Sequence, residues 1–130
     1  MSEALLDTSI LIGLEAGRVD PISIPDGAAI SVVTLAELHL GVLATEDPDE
    51  RSHRLTTLLA AERLFDPIPI DDSVARRFAQ VVDTLRRKKR RAPVLDALIA
   101  ATALEHNLTL YTQDTHFEPV DGLSLDIIAR

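Results

Sequence analysis

Apolar positions along this chain fall into short runs that alternate with amphipathic stretches. Ala4-Leu5-Leu6 is a brief apolar run ending at Asp7, after which Thr8 or Ser9 can cap a helix carrying Ile10, Leu11, Ile12 and Leu14. Pro21, Pro25 and Gly27 mark a connection. Ala28 to Val33 then reads as a second strand, followed by a helix over Leu35 to Leu43. Asp47-Pro48-Asp49 opens a third helix through Ala61, and Ile68-Pro69-Ile70 predicts a short strand at an edge, since proline cannot donate to a ladder. A long helix starts at Asp71, Asp72 or Ser73 and carries Val74, Phe78, Val81, Val82 and Leu85 at spacings of three and four. Val94 to Glu105 is apolar on nearly every side except at Asp96, Thr102 and Glu105, the pattern of a helix buried between layers. Leu108 to Tyr111 and Leu123 to Ile128 close the chain as a fourth and a terminal strand.

Strands alternating with helices predict an α/β fold: a three-layer sandwich around a mainly parallel sheet of four to five strands, because parallel neighbours require crossover connections. At 130 residues, with 46% hydrophobic and 26% charged side chains, the chain is expected to form one domain over residues 1–130 with its own core. The absence of cysteine excludes disulfides, thiolate metal sites and a thiol nucleophile. The N-terminal segment lacks a basic stretch followed by a long apolar run, and nowhere do about 18 apolar residues follow one another. A protein soluble in the cytoplasm, without membrane partners, is the expectation.

Charge changes the picture more than composition does. The net charge is −8, yet six of the thirteen basic residues are consecutive: Arg86, Arg87, Lys88, Lys89, Arg90 and Arg91. Removing that run leaves 7 basic residues against 21 acidic ones, so the charge is polarised, with one region suited to phosphate and another to cations. The run has a plain structural explanation as a solvated helix C-terminus favoured by the macrodipole, and a functional one as an RNA phosphate contact with salt-dependent affinity. Aromatic residues make up only 3%, which argues against extended base stacking.

In open α/β sheets the working crevice lies beyond the carboxyl ends of the strands, and four acids belong on that rim. Asp7 ends the first strand, Asp114 follows the fourth by three residues, and Glu37 lies early in the helix after the second. Asp96 sits in the first turn of a helix that runs antiparallel to the fourth strand. Each acid alone has a structural explanation. Asp7 can cap a helix, Thr34 and Glu37 fit a capping box, Asp96 suits a helix dipole, and Asp114 suits a turn. Together they form a crevice of mutually repelling carboxylates, and Asp96 interrupts an otherwise apolar helix. Oxygen donors in that arrangement favour magnesium or manganese. The histidines His39, His53, His106 and His116 show no paired ligand spacing and read as surface or structural, His116 excepted because it neighbours Asp114.

The motifs Leu5-Leu6-Asp7-Thr8-Ser9, Leu35-Ala36-Glu37-Leu38, Leu95-Asp96-Ala97-Leu98-Ile99-Ala100 and Thr112-Gln113-Asp114, in that order, resemble those of PIN-domain ribonucleases. The short length and Gly41, four residues after Glu37, are most similar to VapC-type toxins of bacterial toxin–antitoxin pairs. The resemblance implies a metal-dependent endoribonuclease that leaves a 3′-hydroxyl and a 5′-phosphate. Its acidic site would be Asp7, Glu37, Asp96 and Asp114, with Thr112 as a supporting polar residue; Thr8, beside Asp7, and His116, beside Asp114, are expected to support the site as features of this chain. Asp7, Asp96 and Asp114 would hold magnesium, with manganese as a substitute, while Glu37 orients or deprotonates the attacking water. The resemblance also implies a cognate antitoxin that holds the enzyme inactive, a homodimer, and a toxin–antitoxin hetero-oligomer. Leu55, Leu58, Leu59 and Leu64 offer either an interface or core packing. Many relatives carry a second acid two residues after the fourth-strand acid, where this chain has His116. The site then works with four acids or His116 touches phosphate, and the number of metal ions stays open.

Two other functions compete on the residues alone. A haloacid-dehalogenase-type phosphatase would use Asp7 as covalent nucleophile. Such enzymes carry a second aspartate where Ser9 stands and a lysine near the later acids, and the only lysines here are Lys88 and Lys89. A non-catalytic module of the same fold would grip a basic peptide with the acidic rim.

Overall fold

The computed structural model describes residues 3–129; positions 1, 2 and 130 of the expected 1–130 domain lie outside the described residues. Three strands form a parallel sheet in the order β1 (Ala4–Leu6), β2 (Thr109–Thr112), β3 (Leu125–Ile127). Ala4, Leu5 and Leu6 pair with Thr109, Leu110 and Tyr111, while Leu110, Tyr111 and Thr112 pair with Leu125, Asp126 and Ile127. Among the described residues, five α-helices surround it: α1 (Thr8–Glu15), α2 (Val32–Ala44), α3 (Pro48–Leu64), α4 (Asp72–Arg87) and α5 (Val94–Glu105). No helix among the described residues is long and apolar enough to cross a membrane.

The expected four to five strands are corrected to three. The segment around Ala29 is joined to Leu5 by one bridge, and Ser31 to Ile68 by another. Ile30 therefore lies between β1 and Ile68, held by Ile68 N to Ile30 O at 2.9 Å and Val32 N to Ile68 O at 3.0 Å. Neither segment extends into a strand, for local reasons. The Ser31 side chain accepts from Val33 N at 3.0 Å and starts α2 at Val32, ending the extended backbone early. Ile68 lies between Pro67 and Pro69, neither of which has an N–H to give a ladder. The terminal strand likewise covers only Leu125–Ile127 of the expected 123–128.

Strand alternation divides the core in two. Leu5 and Leu110 face one side, where Val74, Val81 and Leu85 of α4 and Ala97, Ile99, Ala100, Ala101 and Ala103 of α5 bury their side chains. Leu6 faces the other side, against Ile10 and Leu11 of α1, Leu38 of α2 and Leu58 and Ala61 of α3. Two helical layers thus enclose the sheet, and small alanines along α5 let it lie close to the strands. Of the four leucines singled out on α3, Leu58 is buried in this core, whereas Leu55, Leu59 and Leu64 are exposed.

Gly13 shows how closely α1 is seated. A Cβ placed there would lie 2.6 Å from Val19 Cγ2 and 3.0 Å from Gln113 Oε1, and Val19 is itself buried. Gly13→Ala is expected to lower unfolding free energy by about 1 kcal/mol, because overpacking outweighs the gain in helix propensity. Chemical denaturation checks it; a stabilised variant would mean that α1 has room to move.

Candidate functional site

Parallel strands deliver their carboxyl ends to one edge, and the chain uses that edge for acids. Asp7 follows β1 directly; its backbone N donates to Tyr111 O at 3.1 Å, tying the strand end to β2. Of the candidate caps, Asp7 rather than Thr8 or Ser9 is the N-cap of α1, because its side chain accepts from Ile10 N. This frees both hydroxyls for other work. Ser9 donates to Asp7 Oδ1 at 2.5 Å and accepts from Gln113 N at 3.0 Å. Thr112 donates to Asp7 Oδ2 at 2.5 Å and accepts from Asp114 N at 2.9 Å. Each of these two hydroxyls therefore links the acid after β1 to the segment leaving β2. Burial pushes the Asp7 carboxyl above its ordinary range, against the pull of the Ser9 and Thr112 hydrogen bonds.

Glu37 lies in the second turn of α2. Since Ser31 is the N-cap of that helix, the Thr34–Glu37 capping box is corrected: both residues lie within α2, and neither serves its start. Glu37 Oε1 instead accepts from Thr8 Oγ1 at 2.6 Å, with the buried Thr34 hydroxyl 3.3 Å from Thr8. A neighbouring helix thus aims the carboxylate. Glu37 also stands on the wall of an open groove of about 680 Å³ between α1, α2 and α3.

Asp96 occupies the first turn of α5, whose N-cap Pro93 supplies no side-chain hydrogen bond. Its side chain is 21% exposed, and its carboxyl is pushed up to about 6. Desolvation is the largest cause, followed by the negative charges of Asp114, Glu37 and Asp7, with His116 pulling the other way. The charges of the other three acids thus all reach Asp96, although the four come from separate segments. Asp114 caps a 3-10 turn over Thr115–Phe117 by accepting from His116 N, and its Oδ1 lies 2.9 Å from His116 Nδ1.

Asp96, Asp114 and His116 each offer one donor atom, all within 4.8 Å of one another. That spacing, an oxygen-rich donor set and carboxylates that resist joint ionisation all fit a divalent cation, whose charge would relieve the repulsion. Asp7 lies deeper, both its oxygens already accepting hydrogen bonds. Ser9 and Thr34 are the parts that sequence reasoning read only as caps. The signal for Ser9 was a hydroxyl two residues beyond a strand-terminal acid.

The basic run straddles the end of α4. Arg86 and Arg87 both pair with Asp83, at 2.6 and 3.1 Å, and Lys88 bonds Asp121 and Pro119 O. Among the described residues Lys89, Arg90 and Arg91 make no ion pair, and with Arg86 they line a pocket of about 480 Å³ that reaches Ala97, the neighbour of Asp96. His39, 3.7 Å from Glu62, belongs to the surface between α2 and α3.

Comparison with known proteins adds an independent line. The family model described as PIN domain matches residues 4–123. The chain is 44% identical over 115 residues to ribonuclease VapC4 of Mycobacterium tuberculosis, covering 88% of each protein. It is 43% identical over 126 residues to ribonuclease VapC5 of the same organism, covering 95% of this chain and 93% of that one. Among solved structures, a member of the VapBC family of toxin-antitoxin systems, VapBC-5 from Mycobacterium tuberculosis, superposes with a TM-score of 0.85 at 40% identity. The match covers 98% of this chain and 99% of that one.

Proposed function

Since the chain belongs to the PIN domain family and to its VapC ribonuclease branch, we propose that it is a magnesium-dependent endoribonuclease, the toxin of a type II toxin–antitoxin pair acting on cellular RNA in the cytoplasm to stop translation and growth. The observation that carries this reading is geometric: Asp96 and Asp114 bring donor atoms within 4.8 Å of one another beside His116, and the Thr112 hydroxyl ties Asp114 to Asp7. A module freed from catalysis has no use for carboxylates that oppose one another. A dehalogenase-type phosphatase lacks its second aspartate, and Lys88 is engaged by Asp121.

In the proposed mechanism Asp96 and Asp114 would hold the ion directly, with Asp7, seated deeper, contributing through water. A divalent cation there would lower the pKa of bound water and neutralise charge building on the phosphate. Glu37, aimed by the Thr8 hydroxyl, orients the attacking water or accepts its proton. Ser9 and Thr112 keep the Asp7 carboxylate in one orientation. Attack by water in line with the leaving 3′-oxygen leaves a 3′-hydroxyl and a 5′-phosphate. End-group analysis of the products tests the reading, because a 2′,3′-cyclic phosphate would mean that the ribose hydroxyl, and not an activated water, is the nucleophile.

Lys89, Arg90 and Arg91 are the members of the basic run assigned to RNA phosphates. Replacing all three with alanine is expected to reduce the slope of log K against log salt by about 2, the counterion release of three contacts to a single strand. Arg86, Arg87 and Lys88, already paired within the chain, should change the slope less. Equal effects from the two sets would remove the assignment.

Exposed Leu40 and Leu43 on α2, with Leu55, Leu59 and Leu64 on α3, supply an apolar surface for the cognate antitoxin. A segment seated in the groove between α1, α2 and α3 would approach Glu37, which supports inhibition by occupation of the site. A homodimer of toxins, joined to antitoxins in a hetero-oligomer, completes the proposed assembly.

A further inference from the structure

His116 stands where an all-carboxylate rim would carry another oxygen donor, and its surroundings give it a definite orientation. Phe117 is buried and anchors the 3-10 turn, and Asp114 accepts from the His116 backbone N at 2.9 Å. The backbone bearing the imidazole is therefore fixed although the side chain itself is 64% exposed. The ring does not extend freely into solvent: Nδ1 lies 2.9 Å from Asp114 Oδ1 and 4.0 Å from Asp96 Oδ2. Adjacent ligands of an octahedral ion with bonds of about 2.1 Å are separated by about 3.0 Å, and opposite ones by about 4.2 Å. Nδ1 thus sits at distances from the two carboxylates that one ion can bridge with little movement.

From this geometry we infer that His116 Nδ1 is a protein ligand beside Asp96 and Asp114, and that this nitrogen makes the site bind manganese more tightly than magnesium. The inference rests on the reading of the acidic rim as a divalent-cation site and deepens it. Magnesium takes oxygen ligands and sheds water reluctantly, whereas imidazole is a better donor to first-row transition ions. Two carboxylates and one imidazole leave positions open for water and for a phosphate oxygen. Magnesium still enters such a site through the carboxylates, but only the transition ion gains from the nitrogen.

The test is made on the full chain without RNA, so that it does not depend on cleavage. Manganese binding is followed by the loss of the free-ion electron paramagnetic resonance signal, with magnesium as competitor, and the bound ion is probed by electron spin echo modulation from directly bonded ¹⁴N. Wild type should show ¹⁴N modulation. His116→Ala should lose it and bind manganese about tenfold more weakly, with a smaller change for magnesium. His116→Asp should lose the nitrogen signal while narrowing the preference for manganese. Bound manganese without ¹⁴N modulation in the wild type, or modulation that persists in His116→Ala, would overturn the inference and leave the His116–Asp114 contact an ion pair only. If wild type and Asp96→Asn bind no manganese alike, the metal-dependent reading of the site fails as well. Binding that requires Asp96 but shows no nitrogen removes this inference alone.

Discussion

Asp96→Asn is expected to cleave RNA at least about a thousandfold more slowly than the wild type, because the proposed mechanism loses a charge that would bind the ion and the transition-state stabilisation the ion would supply. Asparagine keeps the size and planarity of the side chain, so α5 and its packing on the sheet are unchanged. RNA affinity, assigned above to Lys89, Arg90 and Arg91, should be retained, and single-turnover kinetics at saturating enzyme separates the two effects. The substitution is cleaner here than at Asp7. Asp7 accepts from Ser9, Thr112 and Ile10 N, and an amide there would set its own N–H against one of those donors. Loss of activity in Asp7→Asn would mix catalysis with structure. A fully active Asp96→Asn enzyme would remove the proposed mechanism.

The same substitution is expected to stabilise the metal-free protein. The folded-state carboxyl of Asp96, at about 6, lies above its ordinary unfolded value, so the folded state binds more protons than the unfolded chain between about pH 4 and pH 6. Stability from this group is therefore fully present below that window and is lost as pH rises through 6. At neutral pH the cost of holding Asp96 ionised, first through desolvation and then through the charges of Asp114, Glu37 and Asp7, amounts to about 2–3 kcal/mol. Asparagine carries no charge and avoids that cost, which corresponds to a rise in Tm of roughly 5–10 °C at pH 7.5. The difference shrinks as pH is lowered toward 4. Added magnesium should raise the Tm of the wild type and leave that of Asp96→Asn nearly unchanged, since only a ligand that binds the folded state stabilises it. Equal melting temperatures at pH 7.5 in chelator would show that neither burial nor the neighbouring acids make the Asp96 charge costly.

Much of this was legible before the structure, wherever local pattern and function agree. The run ending at Asp7, the apolar helix interrupted by Asp96 and the polar segment after β2 each put an acid where periodicity calls for something else. What the sequence leaves open depends on partners far along the chain. Ser31 looks like a strand residue until it is seen to cap α2, and Ile68 looks like the centre of a strand although the prolines on both sides confine it to one bridge. Asp7 caps α1, so Thr8 turns to Glu37, 29 residues away, and Ser9 turns to Gln113, 104 residues away. Two of the six residues of the basic run were distinguishable in principle, because Asp83 lies three and four residues before Arg86 and Arg87. The pairing of Lys88 with Asp121 spans 33 residues and was not. Likewise the division of the α3 leucines between core and surface follows from which face α2 covers, a tertiary fact.

The most direct test of the central claim is cleavage of total bacterial RNA by the purified, antitoxin-free protein, assayed with magnesium and with chelator. Discrete fragments that appear with magnesium, vanish with chelator and return when the ion is restored are the predicted result. RNA left intact by a folded, metal-supplied protein, or cut equally well in chelator, would contradict the account.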